Sequence, residues 1–91
     1  MKIPKNLKIG GHTIKVEISH LENDNGISDF EKNLITICDT LPQDQKESTL
    51  FHEMMHFMNS TFSENQLNHL LLDSLAEQLY QILKDNNLLK D

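Results

Sequence analysis

Ser48-Thr49-Leu50-Phe51-His52-Glu53-Met54-Met55-His56 decides how the chain folds and what it can do. Leu50, Phe51, Met54, Met55 and Met58 recur at helical spacing, an apolar face that would seat this helix in a core. Within it, His52 and His56 stand four residues apart, so they stack on one side and can aim two ring nitrogens at one metal ion. Glu53, beside the first histidine, is placed to act as a general base in the same cleft. The segment thus reads H-E-x-x-H on a helix, a pattern whose donors suit zinc.

Upstream, the hydrophobic period is two. Asn6–Ile9, Gly10-Gly11 and His12–Ser19, with Ile14, Val16 and Ile18 alternating, read as a hairpin with a tight glycine turn. Glu22-Asn23-Asp24-Asn25-Gly26 is a polar loop. Ile27–Phe30, the turn residues Glu31-Lys32-Asn33, and Leu34–Cys38 suggest a second hairpin. Together these give a small antiparallel sheet of three or four strands. After Asp39 the period lengthens. Asp39 or Thr40 can cap the metal-site helix, Pro42 suits its first turn, and Asp44 complements its dipole. Asn59–Ser63 reads as a break, and Ser63 with Gln66 as a capping box for a second helix from Glu64 to about Asp85, ended by Asn86-Asn87. That helix carries a stripe of leucines from Leu67 to Leu83. The expected fold is α+β, a small antiparallel N-terminal sheet followed by two packed helices, with residues 1–91 forming a single domain.

Composition narrows the function. The chain has 91 residues, near the size where core area becomes limiting, so a bound metal would add useful stability. A net charge of −6 repels phosphate backbones, which argues against nucleic acid as a partner. No stretch approaches the length of a membrane span, and the N-terminus lacks the apolar run of a signal peptide. The lone cysteine, Cys38, ends an apolar alternation and reads as a buried core residue. The simplest location is the cytoplasm, and the expected partner is a peptide or protein.

A catalytic zinc site takes three protein ligands and keeps one position open. The third ligand after His52 and His56 must come from elsewhere. His69, Asp73 and Glu77 follow at four-residue steps, and spacing alone does not choose among them. Glu77 lies opposite the middle of the leucine stripe, whereas Asp73 lies nearer its edge, which favours Asp73. His69 reads more simply as a half-buried helix histidine. The metzincin extension fails, because Asn59 and Phe62 stand where it needs glycine and a third histidine.

The 48–56 segment, with Asp73-Ser74-Leu75-Ala76-Glu77-Gln78-Leu79-Tyr80-Gln81-Ile82-Leu83-Lys84-Asp85-Asn86 downstream, resembles the small ImmA/IrrE-type metallopeptidase-like proteins of phages and prophages. The resemblance spans nearly the whole chain, and its specific parts are the H-E-x-x-H and the terminal-helix pattern. It implies a minimal, gluzincin-like zincin fold and a zinc-dependent endopeptidase in which Glu53 is the catalytic base and a regulatory protein is the natural substrate class. It also implies that a terminal-helix glutamate, four residues before the position of Glu77, completes the zinc site. That position is Asp73 here, one methylene shorter. His12, His20, His69 and Tyr80 are candidates to stabilise the oxyanion, and the Ile27–Phe30 strand could pair with an extended substrate. The alternative reading is a non-catalytic, zinc-stabilised interaction or regulatory module of phage origin.

Overall fold

In a computed structural model, which describes residues 1–62 and 67–90, the chain forms four strands and then two helices. The strands are β1 (Asn6–Ile9), β2 (His12–Ser19), β3 (Gly26–Asp29) and β4 (Leu34–Cys38), and the helices are α1 (Gln43–Phe62) and α2 (His69–Asp85). The α+β order is the one read from the sequence. Gly10 and Gly11 both have positive φ, 60° and 80°, and join β1 to β2 as a two-residue turn with Ile9 paired to His12. Such a turn needs left-handed backbone at both central positions, which glycine adopts without strain.

The sheet is mixed, which corrects the expectation of an antiparallel one. Its order is β1-β2-β4-β3, with β2 and β4 parallel and the other two pairings antiparallel. The polar 20–25 loop spans the width of one strand, β3 runs back along the outside, and β4 returns into the slot between. Hydrophobicity explains the placement. Ile35 and Ile37 of β4 are fully buried and take the inner position, while the short strand Gly26-Ile27-Ser28-Asp29 is left at the edge.

Ile9, Ile14, Val16, Ile35 and Ile37 form one face of the sheet and pack against Leu50 and Phe57 of α1. Phe57 thus fills the place expected for Met58, which is exposed. Cys38 is buried, as expected. The capping expectations for α1 change as well. The Pro42 carbonyl accepts the first helical bond from Lys46 N at 2.9 Å, whereas Asp39 lies 3.7 Å from His20 and Thr40 Oγ1 meets Cys38 Sγ.

Helix α1 runs on through the break expected at Asn59. The Asn59 side chain is buried and bonds outward, donating to the Leu67 carbonyl and accepting from Leu67 N, each at 3.1 Å. Its amide is therefore spent on Leu67, just ahead of α2, instead of competing with its own helix. The capping box expected at Ser63 and Gln66 lies outside the described residues. Helix α2 begins at His69, later than expected, with Asn68 as the residue that caps it: Asn68 Oδ1 accepts from Leu71 N at 2.8 Å. At the other end Asn87 takes φ 58°, with Leu88 N bonded to Leu83 O and Asn87 N to Lys84 O. These bonds form a Schellman stop at the predicted asparagines.

Helix α2 packs on α1 through Leu72, Ala76 and Tyr80; of the expected leucine stripe only Leu72 is buried among the described residues, while Leu71, Leu75 and Leu79 are about 40% exposed. Tyr80 stacks near Phe51 and donates its hydroxyl to the buried Glu47 carboxylate at 3.1 Å. Gln43 and the Met1 amine also donate to Glu47, at 3.1 and 3.2 Å. Burial alone would raise the Glu47 pKa, but these hydrogen bonds and the nearby ammonium outweigh it and hold the carboxyl below its usual value. A depressed carboxyl contributes stability above its unfolded pKa of about 4.3 and loses it as pH falls through the lowered folded value. Glu47→Gln is therefore expected to cost most stability near neutral pH, with the gap to wild type closing in acid. Urea midpoints measured from pH 7 to pH 3 check this; a constant gap would refute it.

Candidate metal centre

The rotation of α2 onto Leu72, Ala76 and Tyr80 carries the neighbouring Asp73 and His69 over the H-E-x-x-H face of α1. His52, His56, His69 and Asp73 offer donor atoms that all lie within 4.8 Å of one another, a group that could hold a metal ion. His52 Nε2 lies 3.1 Å from His56 Nε2, and its Nδ1 lies 3.2 Å from Asp73 Oδ1. His69 Nε2 lies 3.4 Å from Asp73 Oδ2. Zinc–nitrogen bonds of about 2.0–2.1 Å would put tetrahedral donors about 3.3–3.4 Å apart. The His52–His56 and His69–Asp73 spacings are close to that edge length, whereas Asp73 Oδ1 meets the other nitrogen of the His52 ring, so the four donors converge within 4.8 Å without forming a finished tetrahedron.

One atom tests whether the site suits a cation. Asp73 Oδ1 is buried and has no hydrogen-bond partner among the described residues, although His52 Nδ1 lies 3.2 Å away and would pair with it if protonated. An anionic oxygen left in this state is costly unless a positive charge faces it. Burial, followed by repulsion from the His52 ring, lowers the His56 pKa and favours its neutral form, the one that can bind a metal.

Comparison with family models, curated proteins and solved structures found no match for this chain. The family likeness therefore rests on the residues quoted above, and function must be argued from the site itself.

Glu53 is 7% exposed and lies between α1 and the edge strand β3. Its Oε1 accepts a 2.7 Å hydrogen bond from Ser28 Oγ, and its Oε2 lies 3.8 Å from His52 Nε2. Ser28 thus fixes one carboxylate oxygen and leaves the other facing the histidines. Gly26 makes this approach possible. A Cβ there would come within 2.6 Å of Thr49 Cγ2 and 3.2 Å of Glu53 Oε2, so any side chain would push β3 off the helix. Two clefts flank the carboxylate. One, of about 290 Å³, runs toward Ser48, Thr49 and Ala76, and the other, of about 380 Å³, follows Ile27, Ser28 and Phe30 of the edge strand and its end.

The remaining sequence candidates separate clearly. Glu77 accepts from Ser48 Oγ at 3.0 Å and lines the first cleft without joining the donor cluster. Tyr80 is committed to Glu47 and Lys84 in the interhelical core. His20 faces Asp39, and neither it nor His12 joins the cluster. His69, expected to be half buried, is exposed and belongs to the cluster. Ser28 and Gly26 had no chemical signature in the sequence, since a serine and a glycine in a short strand are ordinary residues.

Ser28→Ala should leave the fold intact while freeing the Glu53 carboxylate to turn. A hydrogen bond to a charged group contributes about 1.5–3 kcal/mol. If that orientation is fully used in the reaction, any hydrolytic rate falls about 10- to 150-fold with metal content unchanged. Steady-state kinetics beside metal analysis would show this, and an unaltered rate would remove Ser28 from the site.

Proposed function

We propose that this chain is a zinc-dependent endopeptidase of the ImmA/IrrE type, phage or prophage derived, with His52, His56 and Asp73 as metal ligands and Glu53 as the general base. The observation that carries the reading is the placement of a buried, serine-oriented carboxylate beside a histidine–aspartate cluster that includes a buried oxygen without a donor. Two imidazoles and a carboxylate form a donor set suited to zinc. Zinc bound there would polarise a peptide carbonyl and lower the pKa of water toward about 7.

The protein's own groups account for the rest. Glu53 takes a proton from the attacking water through the oxygen that Ser28 leaves free, then passes it to the departing amine. The edge strand β3 offers backbone groups with which an extended peptide can pair, beside the exposed side chains of Ile27 and Phe30. This favours a polypeptide substrate over a small amide. The acidic surface disfavours nucleic acid, and no described helix is long and apolar enough to cross a membrane. A regulatory protein met in the cytoplasm is the substrate class that the family likeness suggests.

A second reading has its own support: four potential donors could close a metal completely, as in a structural site of a protein-binding module. The deciding experiment is incubation of zinc-loaded protein with a proteome-derived peptide library, followed by mass spectrometry. New peptide ends that appear with wild type and not with Glu53→Gln support the peptidase. Their absence under all zinc-loaded conditions supports the binding module.

A further inference from the structure

His69 is the member of the donor cluster that neither the H-E-x-x-H pattern nor its acidic completion requires. It opens α2, directly after Asn68. Its ring lies 5.0 Å from that of His56 and 6.0 Å from that of His52, centre to centre, and its Nε2 is 3.4 Å from Asp73 Oδ2. Yet its side chain remains 72% exposed. A histidine buried for packing would not stand so open, and an ordinary surface histidine would not converge with two other imidazoles and a carboxylate.

Coordination arithmetic gives this position a consequence. Three protein ligands leave zinc one open place, whereas four fill a tetrahedron. The four donors are not equally anchored. His52 and His56 lie within α1, and Asp73 is flanked by the buried Leu72 and Ala76. His69 lies in the first turn of α2, and although Asn68 caps that turn, the His69 side chain is the only one of the four that is exposed and so the least held by its surroundings. It also lines the cleft along β3 and not the one beside Ser48, so a peptide laid on the edge strand would meet this imidazole first.

We infer that His69 is a detachable fourth protein ligand, closing the metal's coordination at rest and leaving it when a peptide occupies the β3 cleft. The inference rests on the zinc-peptidase reading of the cluster and adds to it a built-in latency. It also joins the two arrangements set against each other above: the closed site is the resting form and the three-ligand site the working one.

The test uses zinc and cobalt(II) on the full chain of wild type, His69→Ala and His69→Cys, with azide as a small competing ligand. Zinc affinity comes from competition with a chromophoric chelator, and folding from far-ultraviolet circular dichroism. Residues that merely orient a ligand are worth about 10- to 100-fold in affinity, so loss of His69 itself should weaken zinc binding by at least about tenfold. The visible bands of wild-type cobalt protein should ignore moderate azide, while those of His69→Ala should shift. His69→Cys should gain a near-ultraviolet sulfur-to-cobalt charge-transfer band that wild type lacks, since Cys38 lies buried outside the cluster. Equal zinc affinity, equal azide response and no new band would overturn the fourth ligand while leaving a three-ligand peptidase site standing. Failure of all three proteins to bind either metal would overturn both.

Discussion

Glu53→Gln is expected to keep its zinc and lose peptide hydrolysis by about 10²- to 10⁴-fold, the usual contribution of a positioned general base. The substitution is nearly isosteric, and an amide oxygen can still accept the bond that Ser28 Oγ now gives to Oε1. The other oxygen, which faces His52, becomes an amide nitrogen that cannot take a proton. Because the variant removes basicity and little else, its circular dichroism and metal content should match wild type while turnover collapses. A variant that retains zinc and cleaves at the wild-type rate would remove Glu53 from the mechanism.

The second large effect is on stability. The cluster draws on α1 for His52 and His56 and on α2 for Asp73 and His69, so a bound ion would join the two helices. Without it, α2 is held to α1 by the modest face of Leu72, Ala76 and Tyr80 and by hydrogen bonds such as Tyr80–Glu47 and Ser48–Glu77. An ion that binds only the folded chain, present at 100 times its dissociation constant, adds about 2.7 kcal/mol. At about 4–8 °C per kcal/mol for a domain this size, the melting temperature should rise by about 10–20 °C on zinc addition and fall back with chelator. His56→Ala should melt at the same temperature with or without zinc. A wild-type melting curve indifferent to both zinc and chelator would show that the cluster does not bind the ion.

The sequence carried the local parts of this structure well. Glycines 10 and 11 announced a turn that requires positive φ, the alternation of Ile14 and Val16 announced a strand, and the histidine spacing placed two ring nitrogens 3.1 Å apart. What it did not carry are relations between elements. Local periodicity marks β4 as a strand but says nothing of its neighbours, and its insertion beside β2 follows from burying Ile35 and Ile37 on the inside of the sheet. The choice among His69, Asp73 and Glu77 likewise turned on how α2 rotates against α1. A leucine stripe suggested one face, but small Ala76 and the Tyr80–Glu47 bond set another, which brings His69 into the site with Asp73 and turns Glu77 toward Ser48. Asn59 misled for a related reason: an asparagine that often ends helices is here occupied by the main chain of Leu67.

The most direct measurement is metal content by mass spectrometry on protein purified without chelator, for wild type, His56→Ala, Asp73→Ala and Glu77→Ala. The account predicts one zinc per chain in wild type and Glu77→Ala, and its loss in His56→Ala and Asp73→Ala. No metal in any sample, with added zinc also failing to bind, would contradict it and leave the H-E-x-x-H spacing a coincidence on a small α+β fold.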